Sequence, residues 1–320
     1  MTEDPTASQD FIYNIVATPG FGLGVISLGL AARNAGLFVS SDGGVSWHDA
    51  TQSLQLSEPV AATSVAIPDD YEHNRIILAG MVGGILVSAD GGNSWHMPKL
   101  PPPPPMISAI LPSPNFNRDS IVIAGTLGDG VLMSSDRGYS WVSWNFGLLD
   151  LNVLCLAISP VFARDETIFA GTETGIFRST NGGRAWREVD LPVGFEAVLC
   201  LAPSTTFERD GVLFAGTENK SLLVSRDEGE TWQQLTDKFV DEPINGLIVS
   251  PNFAENPELV VLSNGLVWMS RDGGASWTQL WAELAEESRE VSALFAPRGF
   301  EKGQKVWLGM YGGEILQSEF

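Results

Sequence analysis

The chain has 320 residues, of which 44% are hydrophobic and 18% are charged, so it can bury a large globular core. Its 18 lysines and arginines are scattered among 39 aspartates and glutamates, which gives a formal net charge of −21. Because phosphate groups are held by basic patches, this balance argues against nucleic acid and anionic membrane surfaces as partners. A basic protein or a cation is more compatible, and acidity that serves solubility alone is the simpler alternative.

An apolar stretch near the N-terminus, residues 11–32, has the hydropathy of a membrane or signal segment. No basic residue precedes it, and Pro19 and Gly20 interrupt it. The stretch also fits the repeat unit described below. We therefore expect no signal peptide, no membrane insertion and a cytoplasmic location, with an extracytoplasmic one left open.

An eight-residue segment that ends in tryptophan occurs six times, beginning with SSDGGVSW at 40–47. Successive tryptophans are 48, 46, 45, 46 and 45 residues apart. A fixed period in this range is typical of propeller blades and other repeat arrays. The six tryptophans are Trp47, Trp95, Trp141, Trp186, Trp232 and Trp277, and the third positions are Asp42, Asp90, Asp136, Asn181, Asp227 and Asp272.

A second marker, exemplified by SPNFNRD at 113–119, occurs once in each of seven units. Strand-length runs such as TIFAGT at 167–172 and GIFRST at 175–180 follow it, separated by short turns. One unit thus predicts four antiparallel strands, which is a propeller blade. The sequence predicts a single all-β domain over 1–320, a seven-bladed β-propeller with blades at roughly 11–52, 60–100, 106–146, 152–191, 197–237, 243–282 and 290–320.

The last unit supplies three strand segments, VSALFAP, KVWLGMY and EILQSEF. Residues 1–10 are a candidate for a fourth strand that closes the ring. They are polar and poor strand formers, so a three-stranded last blade is the alternative.

The recurring segment has the chemistry of a tight turn. An aspartate at the third position can accept hydrogen bonds from backbone N–H groups of later residues in the segment. The glycine at the fifth position tolerates a positive φ. The tryptophan then returns to the sheet, where we expect it to fill space between blades. We interpret the segment as a structural staple that repeats because the blade repeats.

These segments resemble the Asp-box, or BNR repeat, whose pattern is Ser-x-Asp-x-Gly-x-Ser/Thr-Trp. Five copies match, and the fourth departs with Asn181 and Ala185. The resemblance covers nearly the whole chain. It implies a β-propeller like those of sialidases, the sortilin lumenal domain, xyloglucan-degrading hydrolases and the photosystem II assembly and stability factor. In that family the boxes lie away from the ligand face and perform no chemistry.

The residues favour a protein without enzymatic activity. The arginine trio and the Arg-Ile-Pro opening of sialidases find no match, and no cluster has metal-ligand spacing, so we expect no cofactor and no metal. A glycoside hydrolase needs two carboxyl groups about 5 to 9 Å apart. Asp129, Glu173 and Glu218 hold equivalent positions in adjacent blades and are candidates to ring one mouth of the channel, with water-facing turn residues as the simpler alternative.

The face opposite the boxes is the predicted binding face, because its connections depart most from the repeat. Its candidate contact residues are Trp144, Phe146, Trp281 and Tyr311, together with Asp129, Glu173 and Glu218. The sequence therefore predicts a non-enzymatic scaffold that binds a protein or peptide. The alternative is a carbohydrate-binding protein or a paired-carboxylate glycoside hydrolase.

Overall fold

The computed structural model describes residues 10–18, 28–100, 102–296, 299–300 and 303–320. They form seven antiparallel sheets, five with four strands and two with three. In chain order, blade by blade, the strands are β1 (Ile12–Ala17), β2 (Gly29–Arg33), β3 (Gly36–Ser40) and β4 (His48–Asp49); β5 (Ala62–Ala66), β6 (Ile77–Met81) and β7 (Gly84–Ser88); β8 (Met106–Pro112), β9 (Val122–Leu127), β10 (Gly130–Ser134) and β11 (Val142–Ser143); β12 (Val153–Ile158), β13 (Ile168–Thr172), β14 (Ile176–Ser179) and β15 (Arg187–Val189); β16 (Val198–Pro203), β17 (Leu213–Thr217), β18 (Leu222–Ser225) and β19 (Gln233–Gln234); β20 (Ile244–Val249), β21 (Leu259–Ser263), β22 (Leu266–Ser270) and β23 (Thr278–Leu280); and β24 (Val291–Phe295), β25 (Lys305–Met310) and β26 (Ile315–Glu319).

The seven sheets are the blades of a β-propeller, as the repeat predicts. The first strand of each blade is innermost and packs against the first strand of the next blade, and β24 packs against β1. At this junction Ile12, Ile15 and Ala31 share one core cluster with Ala293 and Trp307. Side-chain packing between the first and last blades therefore closes the ring. The proposed closing strand at residues 1–10 falls outside the described residues, apart from Asp10.

Each innermost strand has a register shift near its start, at the third residue of β8 and the second residue of the others, so that one residue bulges out of the ladder. Such bulges bend a strand and re-aim its side chains. Ser108, at one of these bulges, donates its hydroxyl to the Val153 carbonyl of the next blade at 2.5 Å, and Thr63 bonds the Ile107 carbonyl in the same way. The bulged residues are Tyr13, Thr63, Ser108, Leu154, Leu199, Asn245 and Ser292.

The second marker forms a one-turn helix in four blades. Its aromatic residue is buried in each of these helices, so the marker anchors the connection in the core. A fifth short helix follows β23. The helices are α1 (Tyr71–Asn74), α2 (Phe116–Asp119), α3 (Phe162–Asp165), α4 (Phe207–Asp210) and α5 (Ala282–Glu286), and a 3-10 turn spans Gln52–Leu54.

Two blades depart from the predicted four strands. In the second blade the fourth strand is reduced to one bridge between Val87 and His96. Pro98 follows it and has no N–H to extend the ladder. In the last blade the described residues form three strands.

Both cysteines lie in the wall between neighbouring blades. The Cys155 thiol donates to the Val198 carbonyl at 3.3 Å, and the Cys200 thiol donates to the Ile244 carbonyl at 3.4 Å. Burial raises the pKa of Cys200 to about 12 and raises the pKa of Cys155 as well. Both residues are free and bridge adjacent inner strands as small protonated side chains.

Candidate functional site

The antiparallel order of the strands divides the connections of every blade between two faces. The six tryptophan segments and the second markers share one face, shown by the hydrogen bond from Arg137 N to Ser120 O at 3.0 Å. The turns between the second and third strands and the links between blades share the other, shown by Gly128 N to Leu151 O at 3.1 Å. We call these the box face and the loop face.

On the box face, the aspartate of each segment accepts the bonds expected of a tight turn. Asp272 Oδ1 accepts the Ser270 hydroxyl and the Ser276 backbone N–H, each at 2.8 Å, and its Oδ2 accepts the Ser276 hydroxyl at 2.5 Å. Ser270 in turn accepts the Gly274 N–H at 2.8 Å. The carboxylate and the two hydroxyls are thus all hydrogen-bonded within the turn.

The fourth segment keeps this turn despite its altered residues. Asn181 Oδ1 accepts the Ala185 N–H at 2.9 Å, and Ser179 accepts the Gly183 N–H at 2.8 Å. Only the hydroxyl-to-carboxylate bond is lost, because Ala185 has no hydroxyl. The substitution changes the charge of the turn and leaves its backbone bonds intact.

The tryptophans of the segments pack between blades. Trp186 shares a core cluster with Met133 of the preceding blade, and its indole N–H donates to the Trp144 carbonyl at 2.8 Å. Trp47 meets Trp307 edge-on across the junction of first and last blades, with ring centroids 5.5 Å apart. The box face is therefore the structural face of the ring.

Acid should weaken these turns, and the Asp272→Asn variant measures the effect. Hydrogen bonds from the Ser276 hydroxyl, the Ser276 backbone and the Ser270 hydroxyl lower the pKa of Asp272 from 3.8 to about 2. A carboxyl group whose pKa is lower in the folded chain stabilises the fold above the unfolded pKa, and that stabilisation is lost as the pH falls toward the folded pKa. We expect urea midpoints of wild type and variant to differ at neutral pH and to converge between about pH 4 and 2. A difference between the two urea midpoints that stays constant from about pH 4 to pH 2 would contradict a stabilising role for the ionised Asp272 carboxylate.

On the loop face, turns and inter-blade links alternate in one hydrogen-bonded series. Thr174 N donates to Asp150 Oδ2 at 3.0 Å, and Glu196 N donates to Thr174 O at 3.3 Å. The series continues from Glu218 N to Ala197 O at 3.0 Å and from Asp241 N to Asn219 O at 2.9 Å. The links at 145–152, 191–197 and 236–243 are therefore held at fixed positions around blades 3 to 6.

Large apolar side chains are exposed on these hydrogen-bonded links. Of the described residues, four large apolar side chains are more than three-quarters exposed: Val45, Phe146, Leu149 and Phe195. Leu149 and Phe195 belong to links on the loop face, whereas the Phe146 carbonyl accepts the Trp186 N–H at 2.8 Å and so lies beside a tryptophan segment. Sequence reasoning missed Leu149 and Phe195, and the glycine that precedes Phe195 in LPVGFEA was the only local sign of an exposed turn.

The four predicted aromatic residues lie in different environments. Phe146 is 80% exposed and Tyr311 is 47% exposed, the latter 5.9 Å from the Phe11 ring. Trp144 is half-buried beneath Arg184, whose guanidinium lies 5.6 Å from the indole centroid. Trp281 is half-buried and packs on Phe320 at 5.5 Å. The role of these four residues in binding stays a prediction. The exposed side chains of Phe146 and Tyr311 are more accessible to a partner than the half-buried side chains of Trp144 and Trp281.

The three predicted carboxyl residues, Asp129, Glu173 and Glu218, are exposed on successive turns of the loop face. Glu173 accepts a hydrogen bond from the Asn152 amide at 2.9 Å. Below them, a channel cavity of about 570 Å³ is lined by neutral residues of the inner strands, including Tyr13, Ser108 and Cys155. Among the described lining residues there is no carboxylate, and the ring of three carboxyl groups around a mouth of the channel stays a prediction.

Comparison with solved structures gives the same fold at low sequence identity. The extracellular domain of BT4673 from B. thetaiotaomicron aligns over 98% of this chain and 39% of its own, with 17% identity and a TM-score of 0.73. YCF48 bound to D1 peptide aligns over 97% and 93%, with 18% identity and a TM-score of 0.70. The GH74 xyloglucanase from Xanthomonas campestris aligns over 97% and 52%, with 14% identity and a TM-score of 0.73. The chain is thus similar in architecture to propellers of differing function, and it spans about two-fifths of the first of these chains.

Sequence comparisons add no assignment, since no protein family and no curated protein matches the chain. Within the described residues, no helix has the length and apolar character needed to cross a membrane.

Proposed function

We propose that this chain is a non-enzymatic Asp-box propeller that binds another protein or a peptide through its loop face. The observation that carries the proposal is the exposure of Leu149 and Phe195 on links whose backbones are fixed to neighbouring turns by hydrogen bonds. Exposed apolar side chains on a rigid support are typical of contact surfaces, because little conformational entropy is lost on binding.

The chemistry of the two faces supports this choice. The aspartates of the box face are occupied within their turns, and the channel lining that the structure describes is neutral. YCF48, which shares the fold, has been solved bound to a D1 peptide, and this supports a peptide partner by analogy of fold. The exposed rim carboxylates and the likeness to a xyloglucanase keep a carbohydrate-directed function as the competing proposal.

Affinity capture from the native lysate tests the proposal. The wild-type chain is compared with a loop-face variant, Leu149→Ser with Phe195→Ser, and with a box-face variant, Val45→Ser with Tyr139→Ser. All four side chains are exposed, so we expect both variants to fold. We expect a stoichiometric protein partner that the loop-face variant loses and the box-face variant retains. Equal capture by both variants would contradict the proposal, and xyloglucan hydrolysis by the wild type would establish the competing one.

A further inference from the structure

The loop face over blades 3 to 6 combines exposed apolar side chains with uncompensated negative charge. The segments that form it are 127–130, 145–152, 172–175, 190–197, 217–221, 236–243 and 263–265. They contain nine acidic residues and two lysines. The acidic residues are Asp129, Asp150, Glu173, Asp190, Glu196, Glu218, Asp237, Asp241 and Glu242.

The charge of this surface is not neutralised by the ion pairs that the described residues form. Six of the nine pairs lie on the box face and its outer edge, where Arg184 reaches Glu166 at 3.1 Å and Arg187 reaches Glu230 at 2.8 Å. The other three, between Arg33 and Asp10 and from Arg289 to Glu287 and Glu314, lie on the loop face of the first and last blades, outside this surface. None of the nine acids takes part in a described ion pair. Of the two lysines, Lys238 is directed at an aromatic ring, with Nζ 3.6 Å from the Trp268 centroid.

The same surface is preorganised. Asp150 accepts Thr174 N–H at 3.0 Å and Asn152 N–H at 2.9 Å, and Glu196, which is buried, accepts Asn219 N–H at 2.6 Å. These two carboxylates hold the links in place. Leu149, Phe195 and Val240 remain exposed beside them.

From this combination we propose that the loop face over blades 3 to 6 docks a basic peptide segment that carries large apolar side chains. The proposal rests on the proposed function and specifies the chemistry of the partner. Lysines and arginines of such a segment meet the acidic rim, and its apolar residues cover Leu149 and Phe195. A second copy of the chain fits poorly, because it would bring two acidic surfaces together.

A direct titration tests this. A short fluorescent peptide with several lysines and two phenylalanines is titrated with the protein and followed by anisotropy. The matched peptides replace every lysine with glutamate, or both phenylalanines with serine. We expect saturable binding of the first peptide, weakened by added salt, and at least about tenfold weaker binding of both matched peptides.

Protein variants locate the site. The Leu149→Ser, Phe195→Ser pair should weaken binding of the basic peptide by about tenfold or more. A triple variant, Asp129→Asn, Glu173→Gln and Glu218→Gln, should flatten the salt dependence. The box-face pair, Val45→Ser with Tyr139→Ser, should bind as the wild type does. Circular dichroism of each variant shows that the fold is retained.

Several outcomes would overturn the inference. These are no binding of the basic peptide, equal binding of the glutamate peptide, or equal losses in the loop-face and box-face variants. If the peptide fails while the captured native partner still depends on Leu149 and Phe195, the basic-peptide inference falls and loop-face binding stands. If substitution of Leu149 and Phe195 also leaves capture of the native partner unchanged, both the loop-face proposal and the basic-peptide proposal are wrong.

Discussion

Gly229→Ala is expected to destabilise the chain far more than Gly43→Ala, although both glycines lie in the recurring turn, Gly229 at its fifth position and Gly43 at its fourth. The backbone φ is +82° at Gly229 and +80° at Gly43, so an added Cβ carries the same left-handed strain at either position, about 1 to 2 kcal/mol. At Gly229 the Cβ would also lie 2.4 Å from Cε1 of the fully buried Phe169 in the preceding blade. At Gly43 it would meet nothing within 4 Å.

Overpacking against Phe169 should add about 1 to 3 kcal/mol to the cost of Gly229→Ala. Urea unfolding followed by circular dichroism gives the difference between the two variants. Equal losses would mean that the fifth position requires glycine for its backbone conformation alone. A larger loss for Gly229→Ala would show that it also requires glycine because adjacent blades approach closely there.

Trp186→Ala is expected to cost about 3 to 5 kcal/mol, because it removes one of the largest side chains between the third and fourth blades. The residue is 5% exposed and belongs to a cluster with Leu156 and Phe177. Its loss also leaves the Trp144 carbonyl without the indole donor at 2.8 Å.

The control variant Trp186→Phe separates these contributions. Phenylalanine keeps most of the apolar contact and loses the hydrogen bond, so we expect a cost of about 1 to 3 kcal/mol. Thermal and urea unfolding of both variants measure the two terms. A Trp186→Ala variant as stable as the wild type would contradict the inter-blade role of the segment.

The sequence predicts the ring because the repeat places the same apolar runs at a constant spacing in each unit. It predicts the fifth-position glycine from backbone conformation, and the structure adds the contact with the preceding blade as a second reason. The fourth position of the segment was missed. Arg137 and Glu228 have positive φ there, at 65° and 59°, and side chains of their type give no sign of it.

The candidate site is less predictable because its residues do not repeat. Trp144 and Trp281 attract attention as tryptophans outside the boxes, yet both are half-buried. Leu149 and Phe195 are exposed because the links that carry them are tied to neighbouring turns, as at Gly128 N and Glu196 N. Those bonds join a turn to the link that follows its blade, between residues 23 and 22 positions apart in the chain (128 with 151, and 174 with 196), and a local pattern of residue types does not encode them.

Hydrogen exchange on the captured complex tests the central claim most directly, since it maps the bound face without substitution. The amide exchange of the chain alone is compared with that of the chain bound to its partner. The account predicts new protection in the links at 145–152, 191–197 and 236–243, with the box segments unchanged. Protection confined to the box segments, such as 40–47 and 270–277, would contradict it and place the binding surface on the opposite face.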